Sequence, residues 1–227
     1  VAAKTGKANI GYIVIGVLVA VVLIVWLLMT LKAPGSSDGD SGLNYTATVQ
    51  GATVVAGKPA ANKVDVYEDF LCPICGRFEG QFGDDLAKAI NAGKVQVVYH
   101  PVAILNRATT PNGYSQRAAS AALCAAQEGF FPAYHKKLFD EQPAEMSAGL
   151  TDQELITKGQ QVGAPAGFAK CVTDAKFSKT VGTETKRAVQ DPSIRAKGEE
   201  GFGTPTVTVN GKYQDLSDGS WVDNLNK

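Results

Sequence analysis

VDVYEDFLCPIC, residues 64–75, changes period part-way along. Val64, Val66 and Phe70 share one parity, with Asp65, Tyr67 and Asp69 on the other, which is strand alternation. From Pro73 the apolar residues Cys75, Phe78, Phe82, Leu86 and Ile90 are spaced by threes and fours, predicting a helix that ends at Gly93. Val95 to Tyr99 then reads as a second strand. Strand, helix, strand is the opening of a βαβ unit, and such units carry functional groups at the carboxyl ends of their strands. Cys72 occupies that position.

With Cys72 as N-cap, Pro73 falls at N1, where its missing N–H costs nothing, and Cys75 falls at N3. The Cys72 sulfur then faces unpaired backbone N–H groups and the positive end of the helix dipole, which lowers its pKa below the free value of ~8.5 and makes it the nucleophile. Cys75 continues the apolar face of Phe78 and Phe82, as a resolving thiol should. A zinc site would need a second close pair, but Cys124, Cys171, His100 and His135 are scattered. A c-type haem would need His at Gly76. A purely structural Cys72–Cys75 disulfide would close a tiny loop and gain little. The chemistry expected here is thiol–disulfide exchange, which calls for no cofactor.

Upstream, Tyr45 to Val55 alternates in part and reads as a strand. Residues 32–44 contain APGSSDGDSGLN, too polar and small to order themselves, and read as a flexible linker. Ile10 to Leu31 is 22 residues without a charge; as a helix of ~33 Å it matches a hydrocarbon core of ~30 Å. Lys4 and Lys7 before it, against an acidic stretch after it, place residues 1–9 in the cytoplasm and the catalytic domain, 45–227, outside the cell membrane. A cleaved signal peptide is the alternative, but its apolar region is usually shorter, and Leu31-Lys32-Ala33 lacks the small residue expected three places before the cut.

Downstream, residues 114 to about 190 lack strand alternation and read as a helical insertion, about 110–190, within an α/β domain. Thr151 and Glu154 have capping-box spacing. Thr206 to Tyr213 is a hairpin turning at Asn210-Gly211, and a short helix spans about 220–226. The 227 residues are 44% hydrophobic with Lys and Arg balancing Asp and Glu, enough for one core and without a field that would draw nucleic acid.

Val66 to Cys75, with Gly203-Thr204-Pro205-Thr206 and the Val-Asn-Gly that follows, resembles the DsbA-like family of thioredoxin-fold proteins, particularly its membrane-tethered actinobacterial type. The resemblance covers about residues 50–227. It implies a cis peptide at Thr204-Pro205 against the active-site cysteines, with the Thr204 backbone left to pair with an extended substrate. It also implies an oxidase that donates its disulfide to unfolded exported proteins and is re-oxidised by a vitamin K epoxide reductase-like membrane partner. An isomerase or reductase on the same scaffold, and a redox-inactive binding or chaperone domain, are the alternatives. Strongly oxidising members often carry His where this chain has Ile74, and the buried acid found six residues before the nucleophile in thioredoxin is Val66 here. Glu68, on the strand face of Val66 and Phe70, is the candidate proton acceptor for Cys75; the alternative is that Glu68 and Asp69 are solvated strand-end charges. Pairing Cys72 with Cys75 leaves Cys124 with Cys171 as a structural disulfide, or as two buried free thiols. Phe70 and Leu71 are candidate substrate contacts, and His100 and His135 are expected in surface or packing roles.

Overall fold

The computed structural model describes residues 42–225. The apolar segment 10–31 and most of the linker 32–44 lie outside the described residues. Among those described, no helix is long and apolar enough to cross a membrane.

The centre is a six-stranded sheet in the order β1-β2-β4-β3-β5-β6. Its strands are β1 (Ala47–Gln50), β2 (Thr53–Ala56), β3 (Asn62–Glu68), β4 (Val95–Pro101), β5 (Thr206–Val209) and β6 (Lys212–Tyr213). β3 and β4 run parallel, as a βαβ crossover requires, and all other neighbours are antiparallel. The crossover is helix α1 (Pro73–Asn91), which buries Phe78, Phe82, Leu86 and Ile90 and is followed by Gly93 at φ +67°. At its carboxyl end β3 is buried on both faces, so the alternation of its sequence does not translate into one wet face.

The stretch Tyr45–Val55, expected as one strand, is a hairpin of two four-residue strands. The chain reverses at Gly51, whose φ of +62° suits a residue without Cβ. Its register puts Val49 opposite Val54, so apolar residues continue across the turn and hide it in a periodicity reading.

Five helices fill the middle of the chain: α2 (Tyr114–Gln127), α3 (Phe131–Asp140), α4 (Asp152–Gln161), α5 (Ala166–Thr173) and α6 (Ser178–Gln190). α2 is rich in alanine and almost wholly buried, which lets α3, α5 and α6 pack closely against it. α4 begins with the reciprocal capping box of Thr151 and Glu154. A disulfide joins Cys124 on α2 to Cys171 on α5. The last helix, α7 (Ser220–Leu225), lays Trp221 against Phe78 and Phe82 of α1.

Candidate active site

Three segments meet at the amino end of α1: the loop from β3, the loop before β5 and the residue after α3. Cys72 is the N-cap in extended conformation, Pro73 opens the helix, and the Cys72 N–H donates to Asp69 O at 2.9 Å. Gln142, just beyond α3, donates from Nε2 to Phe70 O at 3.0 Å and to Cys72 O at 2.9 Å. The loop that carries Cys72 is thus clamped by a residue of the insertion. Gly76 leaves room for it, since a Cβ there would lie 2.7 Å from Gln142 Oε1.

Thr204 and Pro205 form a cis peptide, and the Cys72 thiol donates to the Thr204 carbonyl at 3.2 Å. Cys72 and Cys75 are both free thiols; Cys72 is 6% exposed and Cys75 1%. Their pKa values separate. The Cys75 thiol lowers Cys72 to about 5 against the opposing effect of burial, helped by Thr204 and by the backbone N–H groups of Cys75 and Ile74. Burial, and then the Cys72 sulfur, push Cys75 well above the usual thiol range. One sulfur is therefore a thiolate at neutral pH and the other a protonated thiol.

Glu68 and Asp69 are buried, not solvated. Glu68 Oε1 lies 2.7 Å from His135 Nε2, and His135 Nδ1 lies 3.5 Å from Glu79 Oε1. Burial raises the Glu68 carboxyl. Burial would lower His135, but the two carboxylates outweigh it and raise the imidazole to about 10. His100 is likewise buried, between Asp65 at 3.1 Å and Glu184 at 2.8 Å, and stacks on Tyr67. Of the surface and packing roles expected for the two histidines, the surface one is wrong for both: lysines beside His135 in sequence say nothing of the face that the α3 helix turns inward. Asp69, Gln142 and Glu79 carried no signal of their roles in the sequence, because their partners are distant in the chain.

Phe70 and Leu71 are fully buried and cannot be substrate contacts. The exposed apolar side chain beside the cysteines is Ile74, 52% accessible. It borders a cavity of about 340 Å³ whose other walls include Thr204, Pro205, Tyr213, Leu216 and Arg195. Among the described residues, no group of three or more His, Cys, Asp or Glu side chains has the arrangement to hold a metal ion.

Residues 49–223 match the thioredoxin family model. The chain is 30% identical to the DsbA of Mycobacterium tuberculosis, with 81% of this chain and 91% of that one aligned at a TM-score of 0.65. MdbA, a thiol-disulfide oxidoreductase from Corynebacterium diphtheriae, aligns over 85% of this chain and all of its own at a TM-score of 0.69 and 24% identity, a likeness of fold. Among curated proteins, the serine/threonine-protein kinase PknE of M. tuberculosis is 29% identical over 177 residues, 75% of this chain. The chain spans only 31% of that protein's length.

Proposed function

Since the chain belongs to the thioredoxin family, among its DsbA-like protein thiol–disulfide oxidoreductases, we propose that it works as an oxidase, passing a Cys72–Cys75 disulfide to exported proteins that are still unfolded. The observation that carries this direction is the place of Cys72 at the N-cap of α1, where the Cys75 thiol, Thr204 and the backbone N–H groups of Cys75 and Ile74 depress its pKa. A disulfide whose reduced form is stabilised gives up its oxidising equivalents readily, because product stability drives the exchange.

In this reading a substrate thiolate attacks the Cys72 sulfur, the Cys72–Cys75 bond breaks, and Cys75 leaves and takes a proton. The second substrate thiol then attacks the mixed disulfide, releasing an oxidised substrate and the Cys72 thiolate. The buried Thr204 hydroxyl is there to donate to that thiolate once the thiol's own bond to the Thr204 carbonyl is gone. Ile74, Pro205 and Leu216 supply the apolar side, and Arg195 and Thr206 the polar side, of a seat for the residues flanking the substrate cysteine. Segment 10–31 anchors the domain to the extracytoplasmic face of the cell membrane, and a vitamin K epoxide reductase-like protein re-oxidises the pair there.

The Ile74 side chain favours the second reading, a reductase or isomerase, because, unlike the backbone N–H of the same residue, it brings no charge or hydrogen bond to the thiolate. The two separate in one assay. Oxidised full-length chain mixed with a reduced, unfolded substrate protein should transfer its disulfide within a single turnover; transfer only in the opposite direction, from reduced chain to a disulfide substrate, would exclude the oxidase.

A further inference from the structure

His100, near the carboxyl end of β4, is a buried titratable side chain that the exchange steps at the cysteines do not use. Its ring is held from three sides. Nε2 lies 3.1 Å from Asp65 Oδ1 on β3, Nδ1 lies 2.8 Å from Glu184 Oε1 on α6, and the ring stacks on Tyr67 of β3 with centroids 4.0 Å apart. Each contact suits the imidazolium better than the imidazole. A neutral ring has a single N–H, so its other nitrogen would turn a lone pair onto a carboxylate oxygen, and the face of a tyrosine ring attracts a cation. The other cations of the cluster serve carboxylates of their own element: Lys63 pairs with Asp65 within β3, and Arg187 with Glu184 within α6. Thr208 of β5 lies 3.4 Å from Asp65 Oδ2, and Arg187 also donates to the Tyr67 hydroxyl. His100, by contrast, pairs across elements and ties α6 to the two central strands. Tyr67 carries the tie onward: its ring meets Phe202 edge-on at 6.0 Å, and both pack with Ala188 of α6 and with Ile194 in a small apolar cluster. Phe202 is two residues before Thr204, in the loop that leads into the cis Thr204-Pro205 bond.

We propose that His100 is a positioning residue for protein substrates: as an imidazolium it pins α6 and Tyr67 to the sheet and so fixes the 202–205 loop beside which the substrate docks, and loss of its proton loosens that loop. Burial would lower the imidazole, but Asp65 and Glu184 outweigh it and raise it from 6.5. The tie is therefore complete below the unfolded value and is lost as pH rises through the folded one. What weakens is the docking of an extended chain, not the chemistry of the sulfurs, because His100 touches neither cysteine. Asp65 and Glu184 keep Lys63 and Arg187 when the proton leaves, so the fold survives the change and the loop alone gains freedom.

This role rests on the proposed exchange at Cys72–Cys75, and one experiment separates the two. The protonation of His100 in the oxidised full chain is read by nitrogen NMR, assigned through its backbone. Disulfide transfer is followed over the same pH range to a reduced, unfolded protein and to dithiothreitol, each rate taken per substrate thiolate. KM for the protein should rise through the His100 midpoint by about threefold to tenfold, the equivalent of one lost hydrogen bond, while the rate with dithiothreitol, too small to need the loop, passes through unchanged. Glu184→Gln should move the midpoint to lower pH and carry the KM step with it, which a merely structural role would not do. His100→Gln, unable to carry the charge, should show the high KM at every pH. A KM that stays flat while His100 titrates, or a His100 already neutral at pH 6, overturns the positioning role alone. No transfer to either thiol overturns the exchange reading and the role with it. The wild-type chain and Glu184→Gln decide between these outcomes even if His100→Gln does not fold.

Discussion

Cys72 and Cys75 stand three positions apart where a strand hands over to a helix, whereas Cys124 and Cys171 stand 47 positions apart in two helices of the insertion. All four are buried. What differs is the company of each sulfur. Cys72 receives backbone N–H groups, a neighbouring thiol and Thr204, while Cys124 is surrounded by alanines and other apolar side chains. The same side chain is therefore an ionised thiol in one place and an inert staple in the other. Loop length points the same way: closing the longer loop is worth about 4 kcal/mol on the chain-entropy model and closing the shorter only about 2, both upper figures.

The largest effect that could break this contrast is on exchange itself. Cys72→Ser should abolish disulfide transfer to a reduced substrate, while Cys75→Ala, offered a substrate that carries a disulfide, should attack it through the Cys72 thiolate and then trap a mixed disulfide visible by mass. If Cys75→Ala formed none and Cys72→Ala did, the roles of the two sulfurs would be reversed. Next comes stability. Replacing Cys124 and Cys171 together by serine should lower the urea unfolding free energy by about 2–4 kcal/mol and leave the Cys72–Cys75 glutathione equilibrium within a factor of about two. A large change in that equilibrium would show that the staple also tunes the active site.

The helix starting at Pro73, the parallel crossover and the hairpin at Asn210-Gly211 were legible because each has a local signature, a proline at N1, a change of period and a turn dipeptide, whereas the approach of Thr204-Pro205 to the cysteines was implied by the family resemblance alone. The hairpin at Gly51 was not, since apolar alternation runs through it. The buried carboxylates were invisible for a different reason. Nothing within Tyr67-Glu68-Asp69 says that α2 and α3 will cover the end of β3, and burial of those charges is decided by helices that follow in the chain. Gln142 belongs to the same class, 70 residues from the cysteine whose carbonyl it holds.

Smaller effects sharpen the contrast. Stability of the reduced chain should depend on pH through Cys72, while that of the Cys124–Cys171 staple should not. The folded Cys72 pKa is depressed from 9.0 to about 5, so its contribution is fully present above the unfolded value and is lost as pH falls through the folded one. Urea titrations at several pH values should therefore show the reduced chain losing stability relative to the oxidised chain between about pH 9 and 5; a difference that stays flat would contradict the thiolate assignment. Ile74→His should add a hydrogen bond or charge beside the thiolate and shift the glutathione equilibrium toward the reduced form by up to about tenfold, the equivalent of ~1.4 kcal/mol. Smallest, Gln142→Ala should remove the two bonds to the Cys72 loop and cost about 1–2 kcal/mol of stability, checked by thermal unfolding of the oxidised and reduced chains.

The most direct test of the central claim is the equilibrium of Cys72–Cys75 with glutathione buffers at neutral pH, followed on the full chain. An oxidase built on a stabilised Cys72 thiolate requires a potential near or above ~−180 mV. A value near the ~−270 mV of thioredoxin would contradict the account and assign the pair to reduction.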